Sequence, residues 1–316
     1  MVFTAKDSHH RNEVFVYDGV NLTEFDLNLT ADTAASNPRY YTEFDNKLYF
    51  QADNGTDGDE LWVWDGNLAN TPTMVGDFNP GDFRPQDITE FSAAGGIVFS
   101  AYDGTFADGT DLYFYDGTGS PVRVGGDMNP TGSNFITSNQ AFFHEWNGKI
   151  YFGADDGTNG RELWVWDGNT ANAPTMIGPP AGGLVAGDLQ VFGITDLGGK
   201  LYFIGKDSGG VRRLYEYDGI SDPSLVPGSP ADVYMLIKFN NKVYFEGDDG
   251  TTGDEIWSYD GINPPTLVED LAPGTLNGSH MGLTTSEPIV VDDRLYFRAD
   301  DTGAQLDSGL WYIEAC

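Results

Sequence analysis

Aspartate and asparagine gather in short glycine-bearing segments just ahead of a recurring aromatic strand, and there the chain holds the residues best suited to chemistry. Asp53, Asp57 and Asp59 share one segment, Asp155, Asp156 and Asn159 a second, and Asp248, Asp249 and Asp254 a third. Hard oxygen donors crowded on glycine-bearing turns are the ligand set that calcium takes. These nine positions are therefore the candidate metal ligands, and Ca2+ the candidate cofactor. Asp103, Asp108 and Asp111, and Asp300, Asp301 and Asp307, repeat the composition elsewhere, with Asp77, Asp127 and Asp270 in a second set of connections. The run Asp53-Asn54-Gly55-Thr56-Asp57-Gly58-Asp59-Glu60 shares Asp and Gly spacing with calcium loops but lacks their full pattern. The competing account is that Asp, Asn and Gly stand there because they make turns.

Other chemistry is thinner. Glu60, Glu162 and Glu255 open the same strand in three places, a position that suits acceptance of backbone hydrogen bonds or an ion pair better than a ligand site. Trp62, Trp64, Trp164 and Trp166 have faces on which sugars stack, yet their fixed place in the pattern assigns them to packing. Trp146 falls outside the pattern and is the better candidate for an exposed aromatic. The four histidines are His9, His10, His144 and His280, and no Ser-His-Asp order, phosphate-cradling loop or zinc spacing can be assembled around them. No catalytic residue is assigned. Carboxylate pairs for glycoside hydrolysis are too numerous for one to stand out. The single cysteine, Cys316, permits no internal disulfide.

The elements that must position these loops are written as a repeat. Seven times an aliphatic and an aromatic residue run into Asp-Gly or its remnant, from Val14-Phe15-Val16-Tyr17-Asp18-Gly19 to the degenerate Leu310-Trp311-Tyr312-Ile313-Glu314-Ala315, about 49 residues apart on average. Residues 38–76 show the unit: strand a from Arg39 to Phe44, a turn at Asp45-Asn46, strand b from Lys47 to Ala52, an acidic loop, strand c from Glu60 to Trp64, and strand d around Thr73 to Gly76. Gly95-Gly96, Asn147-Gly148, Gly198-Gly199, Asn240-Asn241 and Asp292-Asp293 occupy the Asp45-Asn46 position and tolerate the positive φ of two-residue hairpins. Strand c is apolar on both faces and so needs cover on both. The fold class expected is all-β: a β-propeller of seven four-stranded blades, or six full blades and a partial one, as a single domain over 1–316. Strand a of the first copy and strand d of the last have no obvious sequence. Strand direction places the b–c loops and the d–a connections on one face.

Glu60-Leu61-Trp62-Val63-Trp64-Asp65-Gly66 and Glu162-Leu163-Trp164-Val165-Trp166-Asp167-Gly168 resemble the ELWxxDGT repeat proteins of bacteria. Asp77-Phe78-Asn79-Pro80-Gly81 and Asp270-Leu271-Ala272-Pro273-Gly274 look like that family's Asp-X-Asn-Pro-Gly connection. Copies three, five and seven depart, with Asp111 and Arg213 where Glu is expected and Asp-Gly lost at the end. The resemblance implies a secreted or surface-attached display or adhesion module, and it transfers no catalytic residue.

Acid dominates the composition: 49 Asp plus Glu, 36 of them Asp, against 16 Lys plus Arg give a formal net charge of −33. Nucleic acid and anionic membranes are repelled by such a surface and are not expected partners. No apolar run approaches the roughly 20 residues of a membrane span, and Met1 leads directly into a repeat, so a secretion signal is either removed or absent. Charge of this size opposes compaction, which suits an extracellular or cell-surface medium supplying salt or divalent cations. The leading expectation is a non-catalytic propeller for calcium-dependent adhesion, surface assembly or glycan binding, with a glycan or a surface protein as partner and homo-assembly open to it. A carbohydrate-active enzyme with its site at a channel mouth, and a structural subunit of a surface layer or filament, are the alternatives.

Overall fold

Apolar side chains recurring every second residue, bounded by Asp, Asn and Gly, favour short strands joined by tight turns. The computed structural model follows that pattern and describes residues 1–31, 34–78, 81–102, 109–129, 143–178, 189–272, 288–299 and 309–315. The first sheet is β1 (Val2–Lys6), β2 (Asn12–Tyr17) and β3 (Leu22–Phe25). The second is β4 (Arg39–Phe44), β5 (Lys47–Asp53), β6 (Asp59–Trp64) and β7 (Thr73–Met74); the third is β8 (Gln86–Phe91), β9 (Gly96–Tyr102), β10 (Thr110–Tyr115) and β11 (Val122–Arg123). The fourth holds β12 (His144–Trp146), β13 (Lys149–Asp155), β14 (Arg161–Trp166) and β15 (Thr175–Met176), and the fifth β16 (Phe192–Leu197), β17 (Lys200–Lys206), β18 (Arg212–Tyr217) and β19 (Ser224–Leu225). The sixth is β20 (Ala231–Phe239), β21 (Lys242–Asp248), β22 (Asp254–Tyr259) and β23 (Thr266–Glu269), and the last β24 (Ile289–Val291), β25 (Arg294–Ala299) and β26 (Gly309–Glu314). Five sheets thus run a-b-c-d, while among the described residues the first lacks strand a and the last lacks strand d, the two strands for which no sequence was apparent.

The hairpin dipeptides do what their side chains allow. Both residues have positive φ at Asp45-Asn46, Asn147-Gly148, Gly198-Gly199 and Asn240-Asn241, the mirror-image turn that matches strand twist. Gly95-Gly96 is a correction. There β8 ends at Phe91, Ser92–Ala94 form a 3-10 turn, and only Gly95 is left-handed before β9 begins at Gly96. The Gly96 Cα lies so close to the Phe114 ring and the Tyr115 carbonyl that a Cβ would fall 2.5 Å from each, so packing across the sheet displaces the turn.

Two compact units divide the chain, Met1–Thr158 with Trp164–Thr175 and Asn159–Leu163 with Met176–Cys316. Within the first, Val14, Val16 and Phe25 of the first sheet pack on Phe50, Ala52, Trp62 and Trp64 of the second, whose opposite face, Tyr49 and Leu61, packs on Ile97, Phe99, Tyr113 and Tyr115 of the third. The second unit repeats the arrangement. Tyr202, Ile204 and Leu214 meet Val243, Phe245 and Trp257, and behind them Tyr244 and Ile256 meet Leu295 and Phe297. The phenylalanine of strand b therefore always looks back and the residues flanking it look forward.

Trp62, Trp64, Trp164 and Trp166 are buried, as their place in the repeat predicts. Indole Nε1 of Trp62, Trp164, Trp257 and Trp311 donates to a strand b carbonyl, of Ala52, Ala154, Gly247 and Ala299, at 2.9–3.1 Å. Trp146 overturns its expectation: it is 7% exposed and packs on Tyr151 with ring centroids 5.6 Å apart, because strand a, too, is covered by its own sheet. Phe203 and Phe245 are fully buried. Phe203→Ala is expected to cost about 3–5 kcal/mol, read as a fall in the urea midpoint at unchanged m-value.

Candidate functional site

The acidic b–c loops close on themselves. Asp53 Oδ1 accepts the Gly55 amide at 2.5 Å, Asp155 Oδ1 the Gly157 amide at 2.7 Å, Asp207 Oδ1 the Gly209 amide at 2.8 Å and Asp248 Oδ1 the Gly250 amide at 2.6 Å. Asp7 Oδ1 does the same for the His9 amide at 2.8 Å. Each is a turn in which the aspartate stands in for a backbone acceptor. The following residue often repeats the device: Asn54 caps Thr56 and Asp57, Asp156 caps Thr158, and Asp249 caps Thr251 and Thr252. Asp57 accepts from Asn54 Nδ2 at 2.7 Å.

Of the nine candidate ligands, Asp53, Asp57, Asp155, Asp156, Asp248 and Asp249 are thus engaged with their own loops, and Asn159 lies just ahead of β14. The structure brings two pairs together across strands b and c: Asp53 stands opposite Asp59, and Asp248 opposite Asp254. Burial raises the Asp59 carboxyl, and the charges of Asp82 and Asp53 raise it further. Among the described residues no three of His, Cys, Asp and Glu converge as a metal centre. Asp103, Asp108, Asp300, Asp301, Asp307, His280, Cys316 and the Asn-Pro and Pro-Gly steps at 79–80 and 273–274 lie outside the described residues. His9 Nδ1 is 3.3 Å from Ser8 Oγ and 3.4 Å from Asp7 Oδ2. A catalytic triad needs acid and nucleophile on opposite ring nitrogens, and here both meet the same one.

The glutamates that open strand c have a structural task. Glu255 is fully buried and accepts the amides of Leu271 and Ala272 at 3.2 and 3.3 Å; Glu162 accepts the Leu189 amide at 3.1 Å; and Glu13 accepts both the amide and the hydroxyl of Ser36. Asp111 takes the place in the third sheet, pairing with Arg123 and accepting the Met128 amide. Arg213 reverses the polarity in the fifth, donating to the Ser229 carbonyl at 3.0 Å and pairing with Asp207. Asp207 apart, which sits on the sheet's own b–c loop, each partner lies on the d–a connection or at the end of strand d. The connection then reaches the next sheet: Asp53 N donates to Ser36 O, Tyr102 N to Phe83 O, Lys206 N to Leu189 O, and Asn129 Nδ2 to Asp155 O. Loops and connections do share one side, as strand direction requires.

Glu60 is the exception in that series. It is fully buried, and neither oxygen has a hydrogen-bond partner among the described residues. Burial pushes its carboxyl up to about 8; nearby amides of Phe78 and Phe83 oppose the rise, and Asp77 and Asp57 add to it. Asp111 is pushed up to about 6 by burial against the pull of Arg123. The hairpin aspartates move the other way. Asp18, Asp65, Asp116, Asp167, Asp218 and Asp260 all lie below the ordinary carboxylate value, led by backbone amides at Asp18, Asp65, Asp167 and Asp218 and by the side chains of Thr118 and Asn263 at Asp116 and Asp260.

One repeated feature has only a partial signal in the residue types. Strand a is entered through two left-handed residues three apart: Asn37 and Tyr40, Arg84 and Asp87, Gln190 and Gly193, Asp232 and Met235, with φ between 44° and 57°. Seven of the eight are not glycine, and such strain persists only where surrounding structure imposes it. The register against strand b slips at the same points, a bulge that re-aims side chains. Here adjacent sheets approach, with the Thr42 hydroxyl donating to the Ile88 carbonyl and Lys238 Nζ reaching Asp196 Oδ2 at 2.9 Å. Along this edge Arg212 lies 3.6 Å over the Tyr234 ring.

No family model matches the chain and no curated protein matches it in sequence. Solved structures do. The BP39L lectin from Burkholderia pseudomallei is similar at TM-score 0.56 and 14% identity over 100% of this chain and 92% of that one. The β-propeller domain of the Trilobed protease from Pyrococcus furiosus, described as having an open velcro topology, is similar at TM-score 0.51 and 13% identity over 98% and 90%. The computationally designed Ika8 protein is similar at 0.51 and 18% over 99% and 80%. Likeness at such identities speaks for the fold: the chain is an all-β propeller.

The shifted carboxyls set the pH response. The hairpin aspartates have folded values below their unfolded ones, so their contribution is present above about pH 4 and is lost as pH falls through the folded values. Glu60 and Asp111 have raised folded values, so theirs is full below about pH 4 and is lost as pH rises towards 6 and 8. The thermal midpoint is expected to peak in mild acid and decline toward pH 8. Glu60→Gln should flatten that decline and be the more stable protein at pH 8 by about 1–3 kcal/mol, the scale of an unpartnered buried polar group.

Proposed function

We propose that this propeller is a non-catalytic, extracellular binding module for adhesion or surface assembly, presenting its b–c loops to a glycan with Ca2+ as the bridging ion. The observation that carries the reading is equivalence: Asp7, Asp53, Asp155, Asp207 and Asp248 close five loops with the same turn. An enzyme gathers unlike groups at one point, whereas a repeat that binds offers like groups sheet after sheet. A lectin among the structural neighbours supports the ligand class. The opposed pairs Asp53 with Asp59 and Asp248 with Asp254 support the ion, because like charges facing each other across strands repel and a divalent cation relieves the repulsion.

Thermal unfolding at fixed ionic strength, with calcium and with chelator, tests the ion. A cation bound only by the folded chain at a hundredfold excess over its Kd adds about 2.7 kcal/mol, and the Asp53→Asn/Asp248→Asn double variant should lose that increment. An unchanged midpoint would sink the calcium part. A glycan array run with and without calcium tests the ligand, and uniform silence in both would remove the glycan.

A further inference from the structure

One diverted amide sets Glu60 apart from its counterparts. Ser36, Phe83 and Leu189 hold equivalent places on their connections, since the carbonyl of each accepts the amide that ends strand b of the next sheet, of Asp53, Tyr102 and Lys206. The Ser36 amide donates to Glu13 and the Leu189 amide to Glu162. The Phe83 amide turns instead to the Asp59 carbonyl at 3.1 Å, and the Arg84 amide joins it there at 2.8 Å. The connection is pressed onto the loop at this point. Asp82 Oδ1 takes the Asp59 amide at 3.0 Å, and a Cβ on Gly58 would fall 1.8 Å from the Gly81 carbonyl oxygen. The chain thus closes over Glu60 while its amides serve the backbone beside it.

What remains is a carboxyl walled off from water with no donor assigned to it. Glu60 is fully buried, and neither oxygen has a hydrogen-bond partner among the described residues. The leading charges that act on it, those of Asp77 on the connection and Asp57 in the loop, are negative as well. A buried charge is tolerated when it is paired or when it ligates a metal. The surroundings of Glu60 call for a cation.

We propose that Glu60 and Asp77 hold one Ca2+ between strand c of the second sheet and the connection that leaves it, in place of the diverted amide. The two carboxylates balance the two charges of the ion, and Asp77, which is exposed, gives it a way in from solvent. Among the described residues no three acidic or imidazole side chains converge, so the rest of the shell falls to backbone carbonyls and water, which calcium accepts. Such an ion clamps the second sheet to the segment that runs on to the third. It needs no glycan and none of the b–c loop aspartates at 53 and 248, and so stands independently of the adhesion reading.

Terbium, which takes the oxygen ligands of calcium and emits when an excited indole lies close by, reports the site. Trp62 stands two residues beyond Glu60 on the same face of strand c. The full chain titrated with Tb3+ under tryptophan excitation is expected to emit, and excess Ca2+ to abolish that emission. Glu60→Gln should lose the calcium-sensitive emission, and Asp77→Asn, a change at an exposed side chain away from the core, should lose it too. The Asp53→Asn/Asp248→Asn variant should keep it, which separates this ion from any held by the loops. A parent protein without calcium-sensitive emission overturns the proposal. So does emission that survives in either Glu60→Gln or Asp77→Asn, or its loss from Asp53→Asn/Asp248→Asn.

Discussion

Everything in this fold hangs on how a carboxyl removed from water at the head of strand c is held. An ionised carboxylate is among the costliest groups to bury, and it is tolerated where hydrogen bonds replace its hydration. Glu13, Glu162 and Glu255 meet that demand with backbone amides supplied by the connection that leaves strand d. At Glu13 and Glu162 the same residue, Ser36 or Leu189, then accepts from strand b of the next sheet. One buried acid therefore ties three pieces of chain together: its own strand, the segment that leaves the sheet, and through that segment the sheet that follows. Asp111 paired with Arg123, and Arg213 donating to the Ser229 carbonyl, keep the junction while changing its chemistry, so the constraint is on partnership and not on the sign of the charge.

The remaining acid is spent at the surface on backbone geometry. Hairpin and loop aspartates accept amides two or three residues on, which fixes the turns that the strands need and explains why a chain so acidic has so many carboxyls below their ordinary value. At Asp7 and Asp207 the second carboxyl oxygen is taken as well, by Arg11 and Arg213.

The wish to bury both faces of strand c accounts for the stacking. Phenylalanine of strand b always turns back and its neighbours forward, so a sheet of this repeat is complete only between two others. The tryptophans serve this purpose: Trp62 and Trp164 are tied to strand b carbonyls, Trp64 and Trp166 to carbonyls of the loop after strand c, and all four are buried.

Residue order alone determined the strands, the hairpins and the alternation of faces. These are set by near neighbours: a two-residue period decides which side chains share a face, and Asp, Asn and Gly decide where the chain reverses. Strand boundaries fell within a residue or two of the pattern in the second sheet, and strand direction correctly put loops and connections on one side. Only the tertiary structure decided which acids are buried and held, why Glu60 differs from Glu162 and Glu255, that Trp146 is covered, and that Gly95-Gly96 is not a two-residue turn. It alone shows the paired left-handed residues of strand a: Asn37, Asp87, Asp232 and Gly193 are types that accept such a conformation, but Tyr40, Arg84, Gln190 and Met235 give no sign of it. The physical reason is common to all of these. Burial, desolvation and backbone strain are imposed by segments tens of residues away, and no local window of sequence contains the atoms that impose them.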